Sequence, residues 1–170
     1  FGDTVNITGD FVASGVNVST ITIEGGAGND TVDASAMTGT DPDSKVGIDF
    51  NGNDGDDTFI SGVGDDTFVG GVGTDTYVAG GDSTGFAITI DSATGEVTIT
   101  DIETGARDDG TDTAHVSVEF LEFDDKTFDL SKPVHLFDEN DLLVDTYDTL
   151  AAANADAADG YRINIAGTIT

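Results

Sequence analysis

The chain has 170 residues, 34 acidic and 5 basic side chains, a formal net charge of −29 and no cysteine. Five basic residues are too few for the phosphate contacts that binding to nucleic acid or an anionic membrane needs, and without cysteine there is neither a disulfide nor a thiolate metal site. The acid is 28 Asp against 6 Glu. Asp is the short carboxylate of turns, so the negative charge belongs in turns. Charge of this size opposes compaction unless it is neutralised, which makes cations the expected partner.

From the start of the chain, Asp3-Thr4-Val5, Asp30-Thr31-Val32 and Asp57-Thr58-Phe59 recur every 27 residues, and Ile21 to Asp30 aligns with Ile48 to Asp57. A fixed period of this kind means stacked coils. The opening FGDTVN reads as the second half of a repeat, which predicts further sequence upstream. Short runs alternating apolar with small or polar residues predict strands: VNIT, STITIE, TVDAS, VGIDF, TFIS, TFVG and TYVA. Lengthened turns are expected at Asp10 to Val16 and Met37 to Lys45.

The period then tightens to nine. Gly52 to Ile60, Ser61 to Val69 and Gly70 to Val78 each carry Gly at the fourth position, Asp at the sixth, Thr at the seventh and a large apolar residue at the eighth; GGAGNDTVD, Gly25 to Asp33, is a fourth copy. The eighth-position residues Val32, Phe59, Phe68 and Tyr77 are expected to point inward, with Thr at position seven outward.

Calcium takes six to eight oxygens, both carboxylate and carbonyl. A Gly-rich turn can curl its carbonyls toward one point and add an Asp, but one turn has too few ligands. Two turns stacked at about 4.8 Å can share an ion. The period therefore places Asp3, Asp30, Asp57 and Asp75 in a ladder along one edge. Asp66 falls half a coil away, and one coil beyond it stands Thr84, so the opposite edge is expected to be poorer unless Asp82 substitutes. The fifth-position residues Asn29, Asp56 and Asp65 are secondary candidates, with Asp54 an additional one, and Gly26, Gly28, Gly55, Gly64 and Gly73 are the turn glycines of the expected sites.

These nonapeptides resemble the calcium-binding repeat of the RTX (repeats-in-toxin, hemolysin-type) family. The resemblance implies an all-β fold in which residues 1–82 form a right-handed parallel β-roll holding several calcium ions. It also implies type I secretion: the chain stays unfolded in calcium-poor cytosol and folds outside the cell. Crowded carboxylates without metal predict that folding of 1–82 is coupled to calcium.

Beyond Gly80 the pattern changes. Phe86 to Thr100 predicts a hairpin around Asp91 to Gly95, followed by a polar loop at Glu103 to Gly110 and a strand at Val116 to Phe123. Residues 83–132 are read as a β-rich capping segment, resembling those that close RTX arrays after a degenerate GTDT, here Gly110 to Thr113. In residues 133–170, Asp148 is the expected N-cap of a short helix from Leu150 to Ala158, with Gly160 after it. The strand that follows resembles the start of a pectate-lyase-like parallel β-helix; the alternative is that helix and strand pack back on the cap.

An EF-hand does not fit, because Asp54 and Ile60 stand where that loop needs Gly and Glu. His115 and His135 lack the further ligands of a zinc site. Glu119 and Glu122 are a pair of acids, unavoidable at this composition, and Asp41-Pro42 reads as a plain turn. No HExxH or P-loop motif occurs, and no membrane-spanning run. The expectation is a non-catalytic, calcium-binding structural module of a large secreted bacterial protein of adhesin, surface-layer or matrix type, at the cell surface. The alternatives are an accessory region of a secreted polysaccharide lyase or epimerase, and a module that self-associates into calcium-dependent fibres.

Overall fold

A computed structural model describes residues 1–9, 19–38, 46–103 and 110–165. The turn expected at Asp10 to Val16, most of that at Met37 to Lys45 and most of the Glu103 to Gly110 loop lie outside these residues; Met37 itself ends a strand. The fold is all-β, with parallel sheets and one short helix.

The repeats run through β1 (Thr4–Gly9), β2 (Thr20–Ala27), β3 (Thr31–Met37), β4 (Gly47–Asp54), β5 (Thr58–Ile60), β6 (Thr67–Val72) and β7 (Thr76–Val78). The chain alternates between two sheets. β1, β3, β5 and β7 pair in parallel in the first, and β2, β4 and β6 in the second. The register follows the sequence period: Thr4 lies beside Thr31, Thr31 beside Thr58 and Thr58 beside Thr76. Alternating strand residues put one side chain in two inside. This builds a row of Val32, Phe59 and Tyr77 from the first sheet, facing Phe50 and Phe68 from the second, all at most 1% exposed. Phe50 stacks on Phe68 with centroids 5.3 Å apart, and Phe59 meets Tyr77 edge-on at 5.9 Å. Such pairs add about 0.5–1.5 kcal/mol each beyond area burial.

Five further strands extend the same two sheets: β8 (Phe86–Ile90), β9 (Val97–Asp101), β10 (Thr111–Ala114), β11 (Phe120–Glu122) and β12 (Thr127–Asp129). β10 lies parallel beside β6, with β9 and β8 following antiparallel; β11 lies parallel beside β7, with β12 antiparallel. The β8–β9 pair is the expected hairpin. The strand expected from Val116 is shorter, beginning at Phe120, because His115 to Val118 form a turn closed by a Val118 N–H to His115 carbonyl bond of 2.9 Å. In its place the GTDT segment is itself a strand. Its alternation buries Asp112 and Ala114 and leaves Thr111 exposed.

The last elements, β13 (Val134–Phe137), β14 (Leu143–Tyr147), α1 (Leu150–Asp156) and β15 (Arg162–Ile165), include an antiparallel sheet ordered β14-β13-β15. β15 pairs antiparallel with β13, so it does not stack as the parallel coil the sequence suggested. Phe137 and Leu143 join the core shared with the repeats, and β14 touches β8 and β12. The helix N-cap is Thr149, not Asp148: its hydroxyl accepts from the Ala152 N–H at 3.2 Å. The helix ends at Asp156, short of Ala158. Among the described residues no helix is long and apolar enough to cross a membrane.

Candidate functional site

The register brings Asp3, Asp30, Asp57 and Asp75 into one row, each just before a first-sheet strand. The first is exposed; the other three are 3%, 1% and 0% exposed. Adjacent members are joined the same way. The Asp3 N–H donates to Asp30 Oδ1 at 2.7 Å, the Asp30 N–H to Asp57 Oδ1 at 2.7 Å, and the Asp57 N–H to Asp75 Oδ1 at 2.9 Å. The carbonyls of Asp3, Asp30 and Asp57 in turn accept from the Thr one coil later, Thr31, Thr58 and Thr76, all at 2.9 Å.

One oxygen per carboxylate is thus satisfied. The others, Asp30 Oδ2, Asp57 Oδ2 and Asp75 Oδ2, are buried with no hydrogen-bond partner. A buried polar oxygen without a partner costs about 1–3 kcal/mol, more if charged. All three are aimed the same way, at Gly25, Gly52 and Gly70 across the turn. A Cβ on Gly25 would stand 2.6 Å from Asp30 Oδ2 and 2.9 Å from the Gly52 carbonyl oxygen. On Gly52 it would overlap Asp57 Oδ2 and stand 2.7 Å from the Gly70 carbonyl oxygen; on Gly70 it would overlap Asp75 Oδ2. At Gly25 and Gly52 a carboxylate oxygen and a carbonyl oxygen from the next coil thus converge in a cradle, and at Gly70 the Asp75 carboxylate oxygen takes the same place.

Electrostatics strain the row. Burial pushes the Asp57 carboxyl above the usual carboxylate range; the Asp30 N–H pulls it back, and the Asp30 and Asp56 charges add to the rise. Asp75 is pushed up to about 6, by burial first and then by repulsion from Asp57, Glu119 and Asp56 against the Asp57 N–H. The basic side chains in ion pairs among the described residues are remote in sequence: Lys126 pairs with Asp145, Lys132 with Asp148 and Arg162 with Asp141.

Asp66 stands apart from this row, in the second sheet. Its carboxylate accepts from the Ile48 N–H at 2.7 Å and the Gly62 N–H at 3.1 Å. The residue one coil beyond it is neither Thr84 nor Asp82, which lie in the turn before β8, but Asp112 of β10. The Asp66 N–H donates to Asp112 Oδ1 at 2.8 Å, while Asp112 Oδ2 accepts the hydroxyl of fully buried Tyr77. Burial and the Asp112 charge hold the Tyr77 phenol well above its usual range. This edge therefore supplies protein donors to both oxygens of its carboxylates, and the first edge does not. Asp112 was missed because 46 residues separate it from Asp66, outside either period; the GTDT motif was the signal that could have found it.

The fifth-position residues lie outside the cradle, all exposed. Asn29 Oδ1 accepts from the Asp56 N–H at 3.1 Å, Asp56 Oδ1 from the Thr74 N–H at 2.9 Å, and Asp65 Oδ1 from the Thr111 N–H at 2.9 Å. These bonds run to the following coil, opposite in sense to those of the buried Asp, so neighbouring turns are stitched in both directions. Asp54 is also exposed, at the end of β4. Gly26, Gly28, Gly55, Gly64 and Gly73 all have positive φ. At Gly55 both requirements meet: φ is +143°, and a Cβ would run into Gly28.

His135 is buried in β13, its Nε2 3.3 Å from the Leu130 carbonyl oxygen, and burial lowers its pKa. His115 lies in the turn after β10, so the two histidines sit on different elements. Glu122 is exposed on β11, whereas Glu119, just before β11, accepts from the Asp75 N–H at 2.8 Å. Among the described residues no three His, Asp or Glu side chains converge into a ready cage. The donor set is instead one carboxylate per coil with main-chain carbonyls, hard oxygens of the kind calcium takes. Comparison with protein-family models, curated proteins and solved structures found no match to this chain.

Proposed function

We propose that the stacked turns of residues 1–82 are a calcium-binding parallel β-roll of the RTX type, serving as a structural module of a large secreted bacterial protein that folds outside the cell when calcium binds. The observation that supports this is the set of three buried, partnerless oxygens, Asp30 Oδ2, Asp57 Oδ2 and Asp75 Oδ2, each in a glycine cradle. Only a cation satisfies several such oxygens at once without a donor proton on each. Asp30 and Asp57, with the carbonyls of Gly52 and Gly70, would hold ions between successive coils, and Asp75 would offer the last carboxylate oxygen within the repeats. Bound calcium supplies the positive charge that offsets repulsion along the row.

Calcium that binds the folded chain and not the unfolded one stabilises it by about 2.7 kcal/mol per site at a hundredfold excess over Kd. In calcium-poor cytosol that contribution is missing and the chain stays export-competent; outside, millimolar calcium suits sites of modest affinity. Far-ultraviolet circular dichroism during a calcium titration tests the reading. A disordered spectrum in chelator that turns to β with calcium is expected; a native β spectrum in excess chelator at neutral pH overturns it.

A further inference from the structure

We infer that the row of cation seats runs one step past the repeats, onto Glu119, so that the last ion is shared between the repeat turns and the segment that follows them. The inference rests on the calcium reading of the row. By register, Phe120 lies beside Thr76 and Leu121 beside Tyr77, so Glu119 stands beside Asp75 where the next coil's Asp would be. Its bonding repeats that of the row. The Asp75 N–H donates to Glu119 Oε2 at 2.8 Å, as the Asp57 N–H does to Asp75 Oδ1, and the Asp75 carbonyl accepts from Glu119 and Phe120 N–H groups at 3.1 Å.

Each earlier seat is bounded by one Asp Oδ2, the first glycine of its own turn and the next coil. The last one has the same first two parts. Asp75 is 0% exposed, and its Oδ2, without a partner, is aimed at Gly70. The neighbouring coil on that side is the His115–Glu119 turn, held against Gly71 by a bond from its N–H to Ser117 Oγ at 3.1 Å. Glu119 is therefore a carboxylate ligand supplied from outside the nonapeptides, for a hard divalent cation of the calcium type. Its side chain is one methylene longer than that of Asp, reaching the row from a turn that lacks the repeat's glycines.

The test compares the wild-type chain with Glu119→Gln. The amide oxygen of Gln can still accept from the Asp75 N–H, so the ladder bond is kept while the charge is removed. Isothermal titration with calcium alone is expected to give one ion fewer for the variant, or one site weakened at least tenfold. An unchanged count with unchanged affinities overturns the inference. If the variant does not fold, the wild-type crystal soaked in a heavy lanthanide decides through anomalous scattering. Peaks beside Asp57 and also between Asp75 and Glu119 support the shared seat. Peaks within the repeats but none beside Glu119 overturn it and leave the calcium reading standing. No peak along the row overturns both.

Discussion

At the scale of single residues, the same Asp-Thr pair has two fates. Asp30, Asp57 and Asp75 each keep one oxygen without a donor, while Asp66 and Asp112 spend both on protein donors. Substitutions should sort accordingly. Asp57→Asn places an NH2 in the cradle of Gly52, where a carbonyl oxygen and no cation awaits it, and calcium-induced folding should weaken by at least tenfold in midpoint concentration. Asp66→Asn should shift that midpoint far less and appear mainly as lost stability in saturating calcium, about 1–3 kcal/mol by urea denaturation. Equal midpoint shifts for the two would mean that both edges bind ions alike. Gly52→Ala tests the cradle itself. A methyl there overlaps Asp57 Oδ2 and crowds the Gly70 carbonyl, so calcium affinity should fall although no ligand has been removed. Tyr77→Phe deletes the donor to Asp112 Oδ2 and should cost about 1–3 kcal/mol with the ion count, read by titration, unchanged.

At the scale of elements, burial and mutual repulsion raise Asp57 and Asp75 together. Asp75 rises to about 6 in the folded chain, against about 3.9 unfolded. The folded state therefore binds protons more tightly between these values. Unfolding free energy falls as pH rises through that window, so this contribution is fully present below about pH 4 and lost above about 6. Asp57, shifted the same way, adds to it. Calcium-free protein should accordingly gain β structure near pH 4.5 and lose it near pH 7.5, by circular dichroism. Acid that fails to restore any structure would show that repulsion within the row is not what opposes folding. The spacing of Asp and Thr made this row legible in advance, because a period of 27 or 18 residues in a stacked chain maps directly onto neighbours in a sheet. Asp112 and Glu119 were not legible as members. They reach the same rows from a segment with no period, where only register decides who stands beside whom. The helix cap was misplaced by one residue because Asp148 and Thr149 are both good caps, and the chain's path settles which hydroxyl or carboxylate meets the Ala152 N–H.

At the scale of the whole molecule, the division expected at residue 82 meets two sheets that continue across it. β10 extends the second sheet and carries Asp112; β11 extends the first, carries Leu121 into the row behind Tyr77, and follows directly on Glu119. The segment after the repeats thus supplies to each sheet what the next coil would have supplied: a backbone partner, a core side chain and a carboxylate. Phe123, Phe128 and Val118 close the end of the core, with Phe123 and Phe128 edge-on at 5.8 Å. Stability in a stacked array passes through nearest-neighbour contacts, so damage in this segment should reach the proposed ion sites. Leu121→Ala leaves every proposed ligand in place but empties a fully buried position, at a cost of about 2–5 kcal/mol. If repeats and segment fold together, the variant should need more calcium to reach half-folding, and tyrosine absorbance and far-ultraviolet dichroism should still report one coincident transition. Two separate transitions, with calcium uptake at its wild-type midpoint, would show instead that the repeats fold on their own and that the continuous sheets transmit little between the two parts.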